Sequence, residues 1–270
     1  MIGRGLLRFD GAAARRGRLV PIFAAGFALA SVGVALAGLS AGGAVVVQGF
    51  ARTSISLLQL TLWTVPLLAL LLGAVSGAEC AELELLTALP LPRTHIVVSR
   101  WAAWTIALTV SLALGFGAAG VVIGLLAGSA DVARYVALIG VATLLVSASL
   151  AIGLWIGIAA RSRARAVGFA VLVWFVLVVG ADLAAIALLS ILPAPASSWS
   201  LLLLLTANPV DSARALGLGL FQADVVAGPT GAALHRLLGG PGAVLVLTGL
   251  IAWTVVPLRL AGLRFAKQDL

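Results

Sequence analysis

The sequence predicts an all-α membrane protein of six transmembrane helices, and three observations lead there. Of its 270 residues, 62% are hydrophobic and 10% charged, whereas an ordinary soluble domain is roughly 45–50% apolar. Six apolar stretches reach the length of about 20 residues that a helix needs to cross about 30 Å of hydrocarbon. These runs lack the period-two alternation of a membrane barrel, so their backbone groups must be satisfied within helices.

The chain reads as one transmembrane domain, 1–270, opening with an arm over residues 1–18. Leu6, Leu7 and Phe9 alternate there with Arg4, Arg8, Arg15, Arg16 and Arg18. That mixture suits an amphipathic helix lying in the membrane interface among anionic lipid headgroups, and it equally suits a plain topogenic arm. The apolar run that follows exceeds the ~7–15-residue core of a signal peptide and lacks a cleavage pattern, so it is expected to stay attached as the first span.

The spans are expected at Leu19–Leu39, Ile55–Gly77, Trp101–Gly128, Tyr135–Ala160, Val167–Leu192 and Ala243–Leu263. Pro66 is expected to kink the second. In the third, Gly120, Gly124 and Gly128 recur every four residues and strip one helix face of side chains. Close approach of a neighbouring backbone is the expectation, with pore lining as the alternative.

Residues 78–100 form a polar island between spans two and three. Glu79, Glu82 and Glu84 with Leu85, Leu86 and Leu89 read as a short amphipathic helix. Pro90 and Pro92 end it, because proline lacks the amide donor and biases its predecessor away from helix. Arg93, His95 and Arg100 follow. A solvated loop joining two spans is the plainer reading. On the other side lies a longer segment, residues 193–241, in which Asp211–Phe221 can form a short helix started by Asn208 and Pro209. Too short and Gly/Pro-punctuated for a catalytic domain, it reads as an extracytoplasmic cap or docking surface.

A net charge of +8 would suggest nucleic acid in a soluble protein, but here the basic residues gather at the ends of apolar runs, so no nucleic-acid partner is expected. Thirteen of the seventeen Lys and Arg fall on the side of the N-terminal arm, the 78–100 loop, the 161–165 loop and the tail, against Arg52, Arg134, Arg214 and Arg236 opposite. Both termini are therefore expected in the cytoplasm.

Chemistry is sparse. Asp182 is the one acid expected inside a span, where a charge costs about 2.5–3.5 kcal/mol on insertion scales. It must face protein or water. Substrate or proton contact is one reading, and a structural hydrogen bond to Ser or Thr of a neighbouring helix is the other, since no second ionisable residue is expected at its depth. No nucleophile with a base, no paired acids and no clustered metal ligands are assembled, and no enzyme activity is expected. Lys267, the single lysine, is followed by Gln268, which excludes a phosphate-binding loop of the G-x-x-x-x-G-K-[ST] kind. Any ATP hydrolysis must come from another polypeptide. Met1, Cys80, His95 and His235 are the whole stock of soft or imidazole ligands, all outside the expected spans, so no ladder for copper ions is expected and no metal site.

The order of acidic amphipathic turn, L-P-x-x-R break at Leu89, Pro90 and Arg93, basic residues and transmembrane helix resembles the cytoplasmic coupling segment of type-two ABC transporter permeases. The run from Val173, Trp174 and Phe175 to Asp182 and Leu183, and the run Leu202–Asp211, resemble in particular the permeases of the nitrous oxide reductase maturation machinery. The resemblance covers nearly the whole chain. It implies a homodimer in the bacterial inner membrane, bound by two copies of a separate ATPase that carries ATP and Mg, and outside by a β-solenoid protein. It implies ATPase coupling through Glu79, Glu82, Glu84, Leu86, Leu89, Pro90 and Arg93, and contact with the outer partner through Asn208, Pro209 and Asp211. The denser acidic and glycine cluster of such permeases is reduced here to three glutamates. Exporters of drugs, lipids or polysaccharides look similar, and a membrane anchor that transmits force without moving solute is a further alternative. A secondary transporter is disfavoured by the scarcity of charge within the spans.

Overall fold

The structure is a computed structural model that describes residues 19–40, 46–79, 93–127, 132–184, 187, 197–220 and 238–267. The described elements are all helical: α1 (Leu19–Ser40), α2 (Val46–Ala78), α3 (Arg93–Ala127), α4 (Val132–Ala160), α5 (Arg163–Phe175), α6 (Ser197–Thr206), α7 (Pro209–Leu220) and α8 (Pro241–Ala266). A π-turn, Val176–Gly180, continues α5 towards Ala184. Six of these helices are long and apolar enough to span a bilayer, at Val20–Gly38, Thr53–Ala78, Thr94–Leu125, Val132–Ala160, Arg163–Ala184 and Pro241–Ala266. Helix α3 begins eight residues before the apolar run at Trp101, because no proline or glycine interrupts Arg93–Arg100. The interfacial arm and most of the 78–100 segment lie outside the described residues.

The bundle is organised on α2 and α4. Gly73 and Gly77 of α2 face Gly153 and Gly157 of α4, and the backbones meet directly. A Cβ on Gly73 would stand 2.7 Å from the Leu150 carbonyl oxygen, and one on Gly77 would stand 2.6 Å from that of Leu154. Only glycine permits this approach, which in lipid supplies the dispersion contact that water-driven collapse supplies elsewhere.

Beside the crossing Leu70, Ala74, Ile152 and Ile156 form one buried cluster, and further along the same helices Leu57, Leu62, Leu138 and Leu145 join Leu112 and Phe116 of α3 in the main core. Helix α1 lies on α3, with Phe27 edge-on to Phe116 at 5.5 Å between ring centroids. The Tyr135 hydroxyl donates to the Phe116 carbonyl at 2.8 Å. On the other flank α8 meets α4 where the Ser147 and Thr254 hydroxyls share a 3.0 Å hydrogen bond. Three tryptophan N–H groups donate to carbonyls of neighbouring helices: Trp101 to Ser147, Trp253 to Thr206 and Trp174 to Trp63. Trp63 lies one turn before Pro66, whose missing amide and ring loosen the carbonyl ladder there.

Candidate functional site

Two polar clusters sit at opposite ends of the α5 span. At its N-terminal end the chain turns from α4 into α5 through Arg161, held at φ 52°, and Ser162 in extended backbone. This tight turn brings Arg163 beside Glu79 at the end of α2, and the two form an ion pair. The other carboxylate oxygen of Glu79 receives Nη2 of Arg100 at 3.5 Å. Arg100 is buried in the second turn of α3, whereas Arg163 is largely exposed. Glu79 thus ties α2, α3 and α5 together at the mouth of the 78–100 segment.

The cluster at the other end depends on the π-turn. Within it the Ala181 N–H reaches back five residues to the Val176 carbonyl, so Leu177 loses the partner that an α-helix would give it. Asn208, just ahead of α7, replaces that partner: its Nδ2 donates to Leu177 O at 2.7 Å and to Asp211 Oδ2 at 2.8 Å. Its Oδ1 accepts from Val210 N–H at 3.0 Å, capping α7. Every hydrogen-bonding group of this amide is used, and flipping it would set like poles against each other. Beyond the turn, Asp182 takes both terminal nitrogens of Arg214, Nη1 at 2.5 Å and Nη2 at 3.2 Å. Arg214 Nη1 also bonds Asp211 at 2.9 Å, one turn back on α7. Burial pushes the Asp211 carboxyl above its ordinary pKa, while Arg214 and the Asn208 hydrogen bond pull it down. The result is one guanidinium shared by two carboxylates, joining α7 to the end of the fifth span.

The profile of ABC-2 family transporter proteins matches residues 23–270. The chain belongs to the ABC-2 transporter family. It is 32% identical over 254 residues, 90% of each chain, to the probable ABC transporter permease protein NosY of Stutzerimonas stutzeri. To the protein of the same name from Pseudomonas aeruginosa it is 32% identical over 209 residues, 75% of this chain and 76% of the relative. It is thus a multi-pass membrane permease of an ABC transporter.

The permease places its sequence-predicted residues unevenly. Glu79 lies at the mouth of the 78–100 segment but turns inward to two arginines, and Arg93 opens α3. Glu82, Glu84, Leu86, Leu89, Pro90, Cys80 and His235 lie outside the described residues. Asn208, Pro209 and Asp211 come together at the start of α7 and are buried rather than presented outward. Asp182 does have an ionisable neighbour, correcting the expectation of a lone acid: Arg214 reaches it from α7, which folds back against α2, α4 and α8. Among the described residues, close backbone approach is found at Gly73, Gly77, Gly153 and Gly157. Gly120 faces the Tyr135 ring, Gly124 has open space, and Gly128 is outside the described residues. The glycine pairs at four-residue spacing in α2 and α4 were visible signals, as was the i,i+3 spacing of Asp211 and Arg214.

Proposed function

We propose that this permease couples ATP hydrolysis by a separate ATPase to export or conformational work across the bacterial inner membrane, in the service of copper-site maturation in nitrous oxide reductase. The observation that carries the reading is the match over nine-tenths of both chains to a permease named NosY. In this reading two permease subunits pair, two ATPase subunits bind the 78–100 segment on the cytoplasmic side, and a β-solenoid partner docks outside. ATP and Mg belong to the ATPase.

The two clusters suggest a route for the work. A displacement of the 78–100 segment pulls on Glu79, and through Arg163 on the N-terminus of α5. The far end of the same span is bonded to α7 through Asp182 and Asn208. The span thus serves as a rod from the ATPase to the outer helices, with Glu79 a positioning residue and Asn208, Pro209 and Asp211 at the receiving end. Because the ligand inventory contains no transmembrane copper ladder, the cargo in this reading is a non-copper species such as a sulfur compound, or none. In this reading Asp182, whose side chain is 46% exposed, touches the cargo.

Copurification from membranes with the ATPase tests the coupling segment: Leu86→Arg should abolish ATPase recovery while leaving permease abundance unchanged, and undiminished recovery refutes the assignment. Sealed vesicles containing both subunits then separate cargoes, since robust ATP-dependent Cu(I) uptake that survives Cys80→Ser would contradict the inference from missing ligands.

A further inference from the structure

We propose that the π-turn is a two-register switch, held in its present register by the Asn208 amide. The Leu177 carbonyl is the acceptor that the Ala181 N–H would take in a continuous α-helix, and here Asn208 Nδ2 occupies it while Ala181 bonds Val176. In the observed register this oxygen takes the amide and not the backbone N–H.

The consequence for Asp182 follows from helix geometry. Closing the turn into α-helix passes its extra residue onward, so each later residue advances one place, about 1.5 Å along and about 100° around the axis. Ala181 then occupies the place of Asp182, and Asp182 takes that of Leu183, which is 62% exposed. Arg214 would face a methyl group and keep only Asp211. In the observed register both contacts to α7 are made together, and in the other both are lost together. The exposed flank moves freely, since Val176 and Leu183 are exposed, whereas Val178 is buried and Leu177 and Val179 pack against the core, so the change must repack these side chains. Side chains with two packings and a shared backbone acceptor make a bistable element rather than a continuously deformable one.

The switch would serve the outward transmission proposed above, but its test reads only register, so failure of either idea leaves the other to stand. A double-mutant cycle in lipid nanodiscs uses the apparent melting temperature. Asn208→Ser keeps an oxygen able to cap α7 and removes the donor to Leu177. In the native turn, Asp182→Asn should lower the melting temperature, and in the Asn208→Ser background that decrement should disappear, because Asp182 has already left Arg214. Deleting Val179 removes the extra residue and fixes Asp182 against Arg214 in plain α-helix, so there Asp182→Asn should cost the same with either residue at 208. An Asp182→Asn decrement unchanged by Asn208→Ser in the native turn overturns the proposal. So does coupling that persists with Val179 deleted, which would mean that the two sites communicate through Asp211 and Arg214 alone.

Discussion

Asp182 and Arg214, 32 residues apart in sequence, form a two-pronged ion pair that closes the end of the fifth span onto α7. Arg214 also holds Asp211, so its removal and the removal of Asp182 are not equivalent. Arg214→Met strands two carboxylates, one of them buried, whereas Asp182→Asn leaves the guanidinium with a partner. Breaking a well-buried pair costs about 3–5 kcal/mol and an exposed one at most about 1 kcal/mol. With Asp182 half exposed, Asp182→Asn should fall near the lower figure, and Arg214→Met between the two. Thermal unfolding in detergent should rank the variants in that order, and equal losses would count against a shared guanidinium.

The Arg214→Met defect should also depend on pH. Burial already raises the Asp211 pKa, and losing the arginine removes the main opposing influence. An acid with a raised folded-state pKa is destabilising in its charged form above that pKa, and the penalty fades as pH falls through it towards the ordinary 3.8. The difference in melting temperature between the native protein and Arg214→Met should therefore shrink on acidification from neutral pH. A difference that widens would contradict the assignment.

Glu79 offers a second ranking. Glu79→Gln deprives buried Arg100 of a carboxylate, whereas Arg163→Gln removes an exposed partner. The first should cost about 2 kcal/mol or more and the second below about 1 kcal/mol, by the contrast between buried and exposed pairs. Chemical unfolding of the reconstituted permease measures both. If ATPase activity in the assembled complex is coupled through Arg163, that variant should uncouple hydrolysis without lowering stability.

At the α2–α4 crossing, Gly157→Ala should be severe and Gly124→Ala silent. The first methyl would press on the Ala74 carbonyl, the second meets nothing within 4 Å. Overpacking of this kind costs about 1–3 kcal/mol and should lower the yield of folded permease. Equal tolerance at both positions would disprove the backbone contact.

The charge asymmetry predicts sidedness. A membrane-impermeant thiol reagent applied to intact cells should label a cysteine placed at Ser198 and spare Cys80. Labelling of Cys80 alone would invert the orientation.

The spans were legible because hydrocarbon imposes a length that apolar runs report directly, and the start of α7 was legible because Asn-Pro is a strong local signal at Asn208 and Pro209. Span ends were less so: the polar start of α3 reads as loop by hydropathy, yet Arg93–Arg100 is helical. Pairings were hidden for a different reason. Glu79 and Arg163 lie 84 residues apart, and Arg214 appears in the sequence as one more loop arginine. The π-turn leaves no compositional trace, since VLVVG would serve equally in a regular helix and the extra residue is defined by Asn208 waiting at its carbonyl. Glycine spacing at 120–128 marks a bare helix face, but spacing is local and does not name what fills it: at Gly120 it is the Tyr135 ring.

The glycine contact between α2 and α4 has a mechanical consequence. At the four glycines the two helices touch backbone to backbone, with no side chains there to rearrange. They act as a keel. Their apolar windows are 50% and 61% buried, against 17% for α1 and for the α5 span and 22% for α8. The subunit is thus seated on one closely joined pair, with its lightly covered helices arranged around it.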